Sequence, residues 1–188
     1  SLLTKEIEQL TDDPSLNIAL DTIKIKKQAL IFVNTKKSAE KTAEEIAKKL
    51  KIEDKVLDDL SEKALHAIAQ PTRQCKRLSE CLKKGIAFHH AGLHHKQKEL
   101  IEEKFREGAI KIICSTPTLA YGLDLPAFRS VLKDLKRYGH HGYQYIPVLE
   151  FLQMAGRAGR PKFDSFGEAI CIATSEPEKE KIYKKFIL

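Results

Sequence analysis

Arg157 and Arg160 close the stretch Gln153-Met154-Ala155-Gly156-Arg157-Ala158-Gly159-Arg160. A guanidinium is always charged and offers a planar fork of N–H donors that matches phosphate oxygens. Gln153, Arg157 and Arg160 fall at i, i+4 and i+7, so a helix continuing through its last turn aims all three away from its apolar side. Gly156 and Gly159 interrupt that turn, and each costs about 1 kcal/mol against alanine in a helix interior. What offsets such a cost is close backbone approach to a partner. The stretch reads as an edge that faces an anion; the plainer alternative is a solvated basic helix end, since exposed charges contribute little.

Several elements must position this edge. Pro147 suits a first helical position, and Val148, Phe151, Leu152 and Ala155 recur at helical spacing, which predicts a helix over 147–158. Short apolar runs at 28–33, 85–90 and 110–114 read as strands buried on both faces, with shorter ones at 130–132 and 168–173. Helices are expected over 37–50, over 94–107 with Gly108 as terminator, and across 51–84 with a break at Gln70-Pro71-Thr72. One more covers the sheet from within residues 1–27, which break at Asp13-Pro14-Ser15, and a last one opens at Ser175-Glu176-Pro177. Alternation of strand and helix predicts an α/β fold of three layers, a mainly parallel sheet with helices on both faces. Ligands in such sheets sit beyond the carboxyl ends of the strands. Asn34-Thr35-Lys36, His90-Ala91-Gly92 and Ser115-Thr116-Pro117-Thr118 each follow a strand directly and are expected along one rim, a second pointer to a binding edge.

The chain has 188 residues, 42% of them hydrophobic, and carries a formal net charge of +7, which permits a polyanionic partner. No apolar run approaches the ~20 residues of a membrane span. The four cysteines form no CxxC pair, and Cys114 and Cys171 lie in apolar runs, as buried small hydrophobes do. A reducing, cytoplasmic setting is expected. A chain that starts at Ser1 without methionine is expected to be a piece of a longer protein. The seven histidines show no zinc-type spacing, and His89 and His90 would point to opposite faces of a strand, so no metal site is expected. No GxSxG elbow signals a serine hydrolase.

No GxxxxGK[ST] loop occurs, and no Asp-Glu pair ends an apolar strand to hold Mg²⁺, so the chain lacks the half of a nucleotide site that grips the β- and γ-phosphates. An arginine supplied to nucleotide bound on another domain is consistent with that, because such a finger stabilises transition-state charge without binding nucleotide alone. Residues 136–146, Lys-Arg-Tyr-Gly-His-His-Gly-Tyr-Gln-Tyr-Ile, interleave basic and aromatic side chains around two glycines. This suits a hairpin whose rings stack on bases, or a surface loop whose tyrosines pack on the domain.

Four segments, in order, carry a family resemblance. Gln153–Arg160 followed by Pro161 resembles motif VI of superfamily-two helicases of the Ski type, and Thr116–Pro126 resembles their motif V. Ala29–Thr35 resembles motif IV, and Phe88–Leu93 resembles the signature between IV and V. Within that group the chain is similar to the archaeal Hjm (Holliday-junction migration) branch. The resemblance implies that residues 1–188 are one RecA-like C-terminal motor domain, separated from the first. It implies that Arg157 and Arg160, with Gln153 beside them, reach ATP bound with Mg²⁺ on that first domain, and that Gly122, Asp124 and Gly156 face the nucleotide. Asn34, Thr35, His90, Gly92, Thr116 and Thr118 would line the track of a nucleic-acid strand, DNA favoured over RNA. Tyr138, His140, His141 and Tyr143 would belong to a strand-separating hairpin. The family works as an ATP-dependent helicase in repair or recombination, and this domain alone would be inactive. An RNA helicase of the same superfamily and a non-catalytic nucleic-acid-binding module are the alternatives.

Overall fold

The computed structural model describes residues 5–121 and 123–188. Helix α1, Pro14–Lys24, starts where the sequence breaks: Asp13 caps it, its carboxylate accepting from the Ser15 and Leu16 amides. Strand β1, Ala29–Phe32, is buried along its whole length. It passes into α2, Lys36–Lys48, through Thr35, whose hydroxyl accepts from the Ser38 amide at 3.1 Å. Of the Asn34-Thr35 pair, Thr35 makes the cap.

Helices α3, Lys55–Leu65, and α4, Arg73–Leu82, form the helical excursion, with the break at Pro71-Thr72 becoming the cap of α4. Strand β2 is Ile86–His89, and α5 is His95–Arg106. Gly108 ends α5 at φ +90, and the amides of Gly108 and Ala109 bond back to Phe105 and Lys104. This is the left-handed termination that glycine permits. Strand β3, Ile112–Ser115, leads through a 3₁₀ turn, Pro117–Ala120, toward β4, Arg129–Leu132.

Strands β5, Lys136–Gly139, and β6, Gly142–Tyr145, form the expected hairpin, closed by Gly142 at φ +89. Helix α6 is Val148–Ala155, β7 is Glu168–Cys171, and α7, Glu176–Ile182, continues into a widened turn over Tyr183–Ile187.

The main sheet has the order β2-β3-β1-β4-β7, and every pairing in it is parallel. Right-handed crossovers then place α2 to α4 on one face and α5 with α6 on the other. The α/β expectation of a parallel sheet between helical layers holds. The core is the sheet's own Ile, Leu, Phe and Ala residues with the inward stripes of α2, α4 and α5. Cys114 is fully buried there, and burial pushes its thiol far up. Cys171 departs from the expectation: it is only half-buried, because β7 is an edge strand.

Two buried polar clusters hold these layers. Arg129 opens β4 and is fully enclosed. Its Nε donates to Glu168 on β7 at 2.8 Å, and its Nη1 donates to Asp21 and Thr22 on α1 at 2.7 and 2.9 Å. The apolar pattern begins this strand only at Ser130, one residue after the arginine. On the other side His89 and His90 diverge as alternation requires, His89 to Glu102 on α5 and His90 to Glu40 on α2, each at 2.7 Å. Burial, working against the Glu102 contact, keeps the His89 pKa below its ordinary value.

Candidate functional site

Helix α6 runs from the carboxyl ends of the strands back to their amino ends. Phe151 and Met154 are its buried face. The Ser130 hydroxyl on β4 donates to the Met154 carbonyl at 2.7 Å and fastens its last turn. The helix then stops at Ala155, with Gly156 as its cap at φ −65 and ψ −8. The expected continuation to residue 158 does not form, because residues 157–159 pair with the chain ahead of β4. The Ala127 amide donates to the Arg157 carbonyl at 2.9 Å, and the Gly159 amide donates to the Ala127 carbonyl at 2.6 Å.

The second glycine has a partner of its own within the chain. Gly159 sits at φ +93, and a Cβ on Gly167 would lie 2.2 Å from the Gly159 nitrogen. No real Cβ tolerates that distance. The close approach expected of these glycines is therefore made, at least in part, by the chain crossing itself.

With the helix ended, Gln153, Arg157 and Arg160 do not share one face. Gln153 is exposed on α6. Arg157 is half-buried, and its Nη2 donates to the Ala120 carbonyl at the end of the 3₁₀ turn. Arg160 is held on three sides. Its Nε and Nη2 donate to the two Asp164 oxygens at 3.0 and 3.3 Å, and its Nη1 donates to Gln28 Oε1 at 2.6 Å. Gln28 is itself fixed, its amide nitrogen donating to the Phe105 and Ile110 carbonyls at 2.7 Å each. Lys27 also reaches Asp164, at 2.8 Å. Burial on its own would raise the Asp164 carboxyl, but the bonds from Arg160 and Lys27 outweigh it and bring the pKa down to about 2.

These contacts use three of the five guanidinium N–H groups of Arg160. Its side chain remains 22% exposed, and it lines an open cavity of about 530 Å³ together with Asp124, Arg106, Pro126, Lys162 and Phe163. Arg106, Lys162 and Asp164 were not singled out from the sequence; only contiguity with Arg160 pointed to the latter two. Gly122 lies outside the described residues, and Gly156 is exposed beside the turn.

The three polar segments after β1, β2 and β3 do lie along one rim, because all three strands are parallel and in register. This rim does not carry Arg160. Gln28, the partner of Arg160, precedes β1, whereas Asn34 follows it, so Arg160 and the rim stand at opposite ends of the sheet, about 20 Å apart along the strand. The two pointers to a binding edge mark two edges.

On the rim a cleft of about 570 Å³ is lined by Asn34, Thr35, Lys36, Thr116, Thr118, Tyr121, Arg137 and Glu150. The hydroxyls of Thr116 and Thr118 meet at 3.1 Å. Asn34 braces the rim: its backbone amide donates to the Asp134 carboxylate at 2.9 Å, and its side chain donates to the Lys136 carbonyl. His90 requires a correction. Its ring is 1% exposed, with Nε2 against Glu40 and Nδ1 accepting from the Gly92 amide at 3.0 Å. It shapes the loop from inside and offers nothing to a ligand, while Ala91 and Gly92 are exposed.

Arg137, on β5, pairs with Glu150 on α6 through both guanidinium nitrogens, each at 2.5 Å. That hydrogen bonding, ahead of the cost of burial, raises the arginine's pKa further. On the hairpin, Tyr138 is 83% and Tyr143 59% exposed, and their rings meet at 4.9 Å. Tyr145 instead packs edge-on against Phe186. His140 and His141 form the exposed turn between the strands. Among the described residues no group of three or more His, Cys, Asp or Glu side chains converges on a metal site, and no helix is long and apolar enough to cross a membrane.

Residues 52–162 match the model of the helicase conserved C-terminal domain. The chain belongs to the helicase C-terminal domain family. It is 42% identical over 182 residues to an ATP-dependent DNA helicase Hel308 of Methanococcus vannielii, covering 95% of this chain and 24% of that protein. It is 44% identical over 172 residues to the Hel308 of Pyrococcus horikoshii, covering 90% and 24%, and 47% over 161 residues to that of Pyrococcus abyssi, covering 85% and 22%. This helicase C-terminal domain thus spans about a quarter of the length of these relatives. The matched segment includes the rim segments after β2 and β3, the hairpin, α6 and both arginines.

Proposed function

We propose that residues 1–188 are the C-terminal RecA-like motor domain of an ATP-dependent DNA helicase and work as half of a nucleotide site. Arg160 carries the reading: it is oriented by Asp164 and Gln28, keeps free N–H groups, and faces an open cavity that Asp124 shares. In this reading ATP and Mg²⁺ are held by a first motor domain, and closure brings Arg160 and Arg157 to the terminal phosphates. Arg157 must exchange its Ala120 carbonyl for phosphate, whereas Arg160 needs no rearrangement. Gln153, Gly122 and Gly156 belong to the same interdomain surface.

A strand of DNA follows the opposite rim, past Asn34, Thr35, Gly92, Thr116 and Thr118, toward the exposed tyrosines of the hairpin. The names of the relatives favour DNA over RNA. The chemistry takes place inside the cell, where ATP is available.

Arginine fingers are worth roughly 10³–10⁵ in rate in nucleotide hydrolases. In the protein with both motor domains, Arg160→Ala is expected to abolish DNA-stimulated ATP hydrolysis while leaving DNA affinity within about twofold, because the two edges are separate. Undiminished hydrolysis by that variant refutes the assignment. The 188-residue chain alone is expected to hydrolyse no ATP.

A further inference from the structure

The rim cleft contains one feature that a track for a polyanion does not call for. Glu150 is the only carboxylate among its lining residues, and it is deeply placed, its side chain 8% exposed. Arg137 beside it is 42% exposed. The guanidinium spends two of its donors on Glu150 and makes no other hydrogen bond among the described residues, so three of its N–H groups remain.

We propose that Arg137 contacts the phosphodiester backbone of a single nucleic-acid strand, and that Glu150 holds it in reserve until the strand arrives. This rests on the nucleic-acid reading of the rim given above. A phosphate presents the same two-oxygen edge to a guanidinium as a carboxylate does, so strand and Glu150 compete for one fork. The neighbours of the pair in the cleft, Thr116, Thr118, Asn34 and Lys36, are donors suited to a phosphate chain. Glu150 is not stranded when Arg137 turns away: it lies in the first turn of α6, where the helix dipole favours a negative charge. In the free chain the pair keeps the fork extended and cancels the charge of Glu150. On binding, Arg137 is traded from carboxylate to phosphate.

The competition fixes a sign that an ordinary structural contact does not. Removing the charge of Glu150 must tighten binding; removing a mere brace would loosen it. The test uses the present chain and a fluorescein-labelled oligo-dT, with anisotropy read over a series of salt concentrations. Glu150→Gln is expected to bind about three- to tenfold more tightly, the change that releasing one charge-assisted pair implies. Arg137→Gln, a substitution at a half-exposed side chain, is expected to bind more weakly and to lower the slope of log K against log salt by about one. In the Arg137→Gln background, Glu150→Gln should add nothing. Unchanged or weaker binding by Glu150→Gln, or a salt slope untouched by Arg137→Gln, overturns the proposal. If Glu150→Gln does not fold, the slope of Arg137→Gln decides alone. Absence of salt-dependent binding by the unaltered chain overturns the nucleic-acid reading of the rim, and this inference with it.

Discussion

Asp164 determines where Arg160 points. One carboxylate takes two guanidinium donors, the Lys27 ammonium and the Arg160 amide, while its side chain is 1% exposed. A carboxyl whose pKa falls from 3.8 unfolded to about 2 folded stabilises the fold fully above the unfolded value. That stabilisation, about 2 kcal/mol, is lost as pH falls from about 4 through the folded pKa. Thermal unfolding followed over this acid range should show a steep decline for the native chain and a flatter one for Asp164→Asn, which starts lower. Equal acid slopes in the two would exclude Asp164 as the group responsible. Its role was not legible in the sequence, because an Asp four residues after an Arg is ordinary on any surface. His90 shows the reverse: the His-His-Ala-Gly stretch is visible, yet only the folded chain distinguishes a ring that meets a ligand from one that holds Gly92 in place.

At the scale of elements, spacing located nearly every strand and helix, and it failed where tertiary contacts outweigh local preference. Helix α6 ends three residues before its expected limit because Ala127 captures the Arg157 carbonyl and the Gly159 amide. Strand β4 starts one residue ahead of its apolar pattern, at Arg129, because a charged residue does not look like an interior strand position. Arg129 is tolerated there only because Glu168, Asp21 and Thr22 surround it. Breaking a buried pair from one side leaves uncompensated charge and costs about 3–5 kcal/mol. Glu168 and Asp21 keep some contact with water, at 23% and 17% side-chain exposure, which places Arg129→Met at the lower end. For a chain of this size that is a drop of on the order of 10 °C in Tm. A variant melting within about 2 °C of the parent would mean the cluster is dispensable, a shift below even 1 kcal/mol.

For the whole molecule, the parallel sheet was evident from strand–helix alternation, and so was the rim after β1, β2 and β3. The separation of that rim from Arg160 was not, since periodicity along a chain carries no information about which end of a sheet a loop returns to. The separation predicts two classes of variant in the protein with both motor domains. Lys36→Ala or Thr116→Ala should weaken DNA binding while sparing hydrolysis at saturating DNA. Arg160→Ala should do the opposite. A rim variant that lowers hydrolysis at saturating DNA as much as an arginine variant would indicate one site, not two.

The crossing at Gly159 and Gly167 divides residues 160–167 into a base and a tip. Backbone touches backbone at the base, so Gly167→Ala must prise two chain segments apart, an overpacking of about 1–3 kcal/mol. Beyond it Ser165 and Phe166 are exposed, and one residue inserted after Ser165 should leave the midpoint of urea unfolding nearly unchanged. Natural variation in this part of the protein should therefore concentrate in the outward bulge, while the knot at its neck stays small and bare.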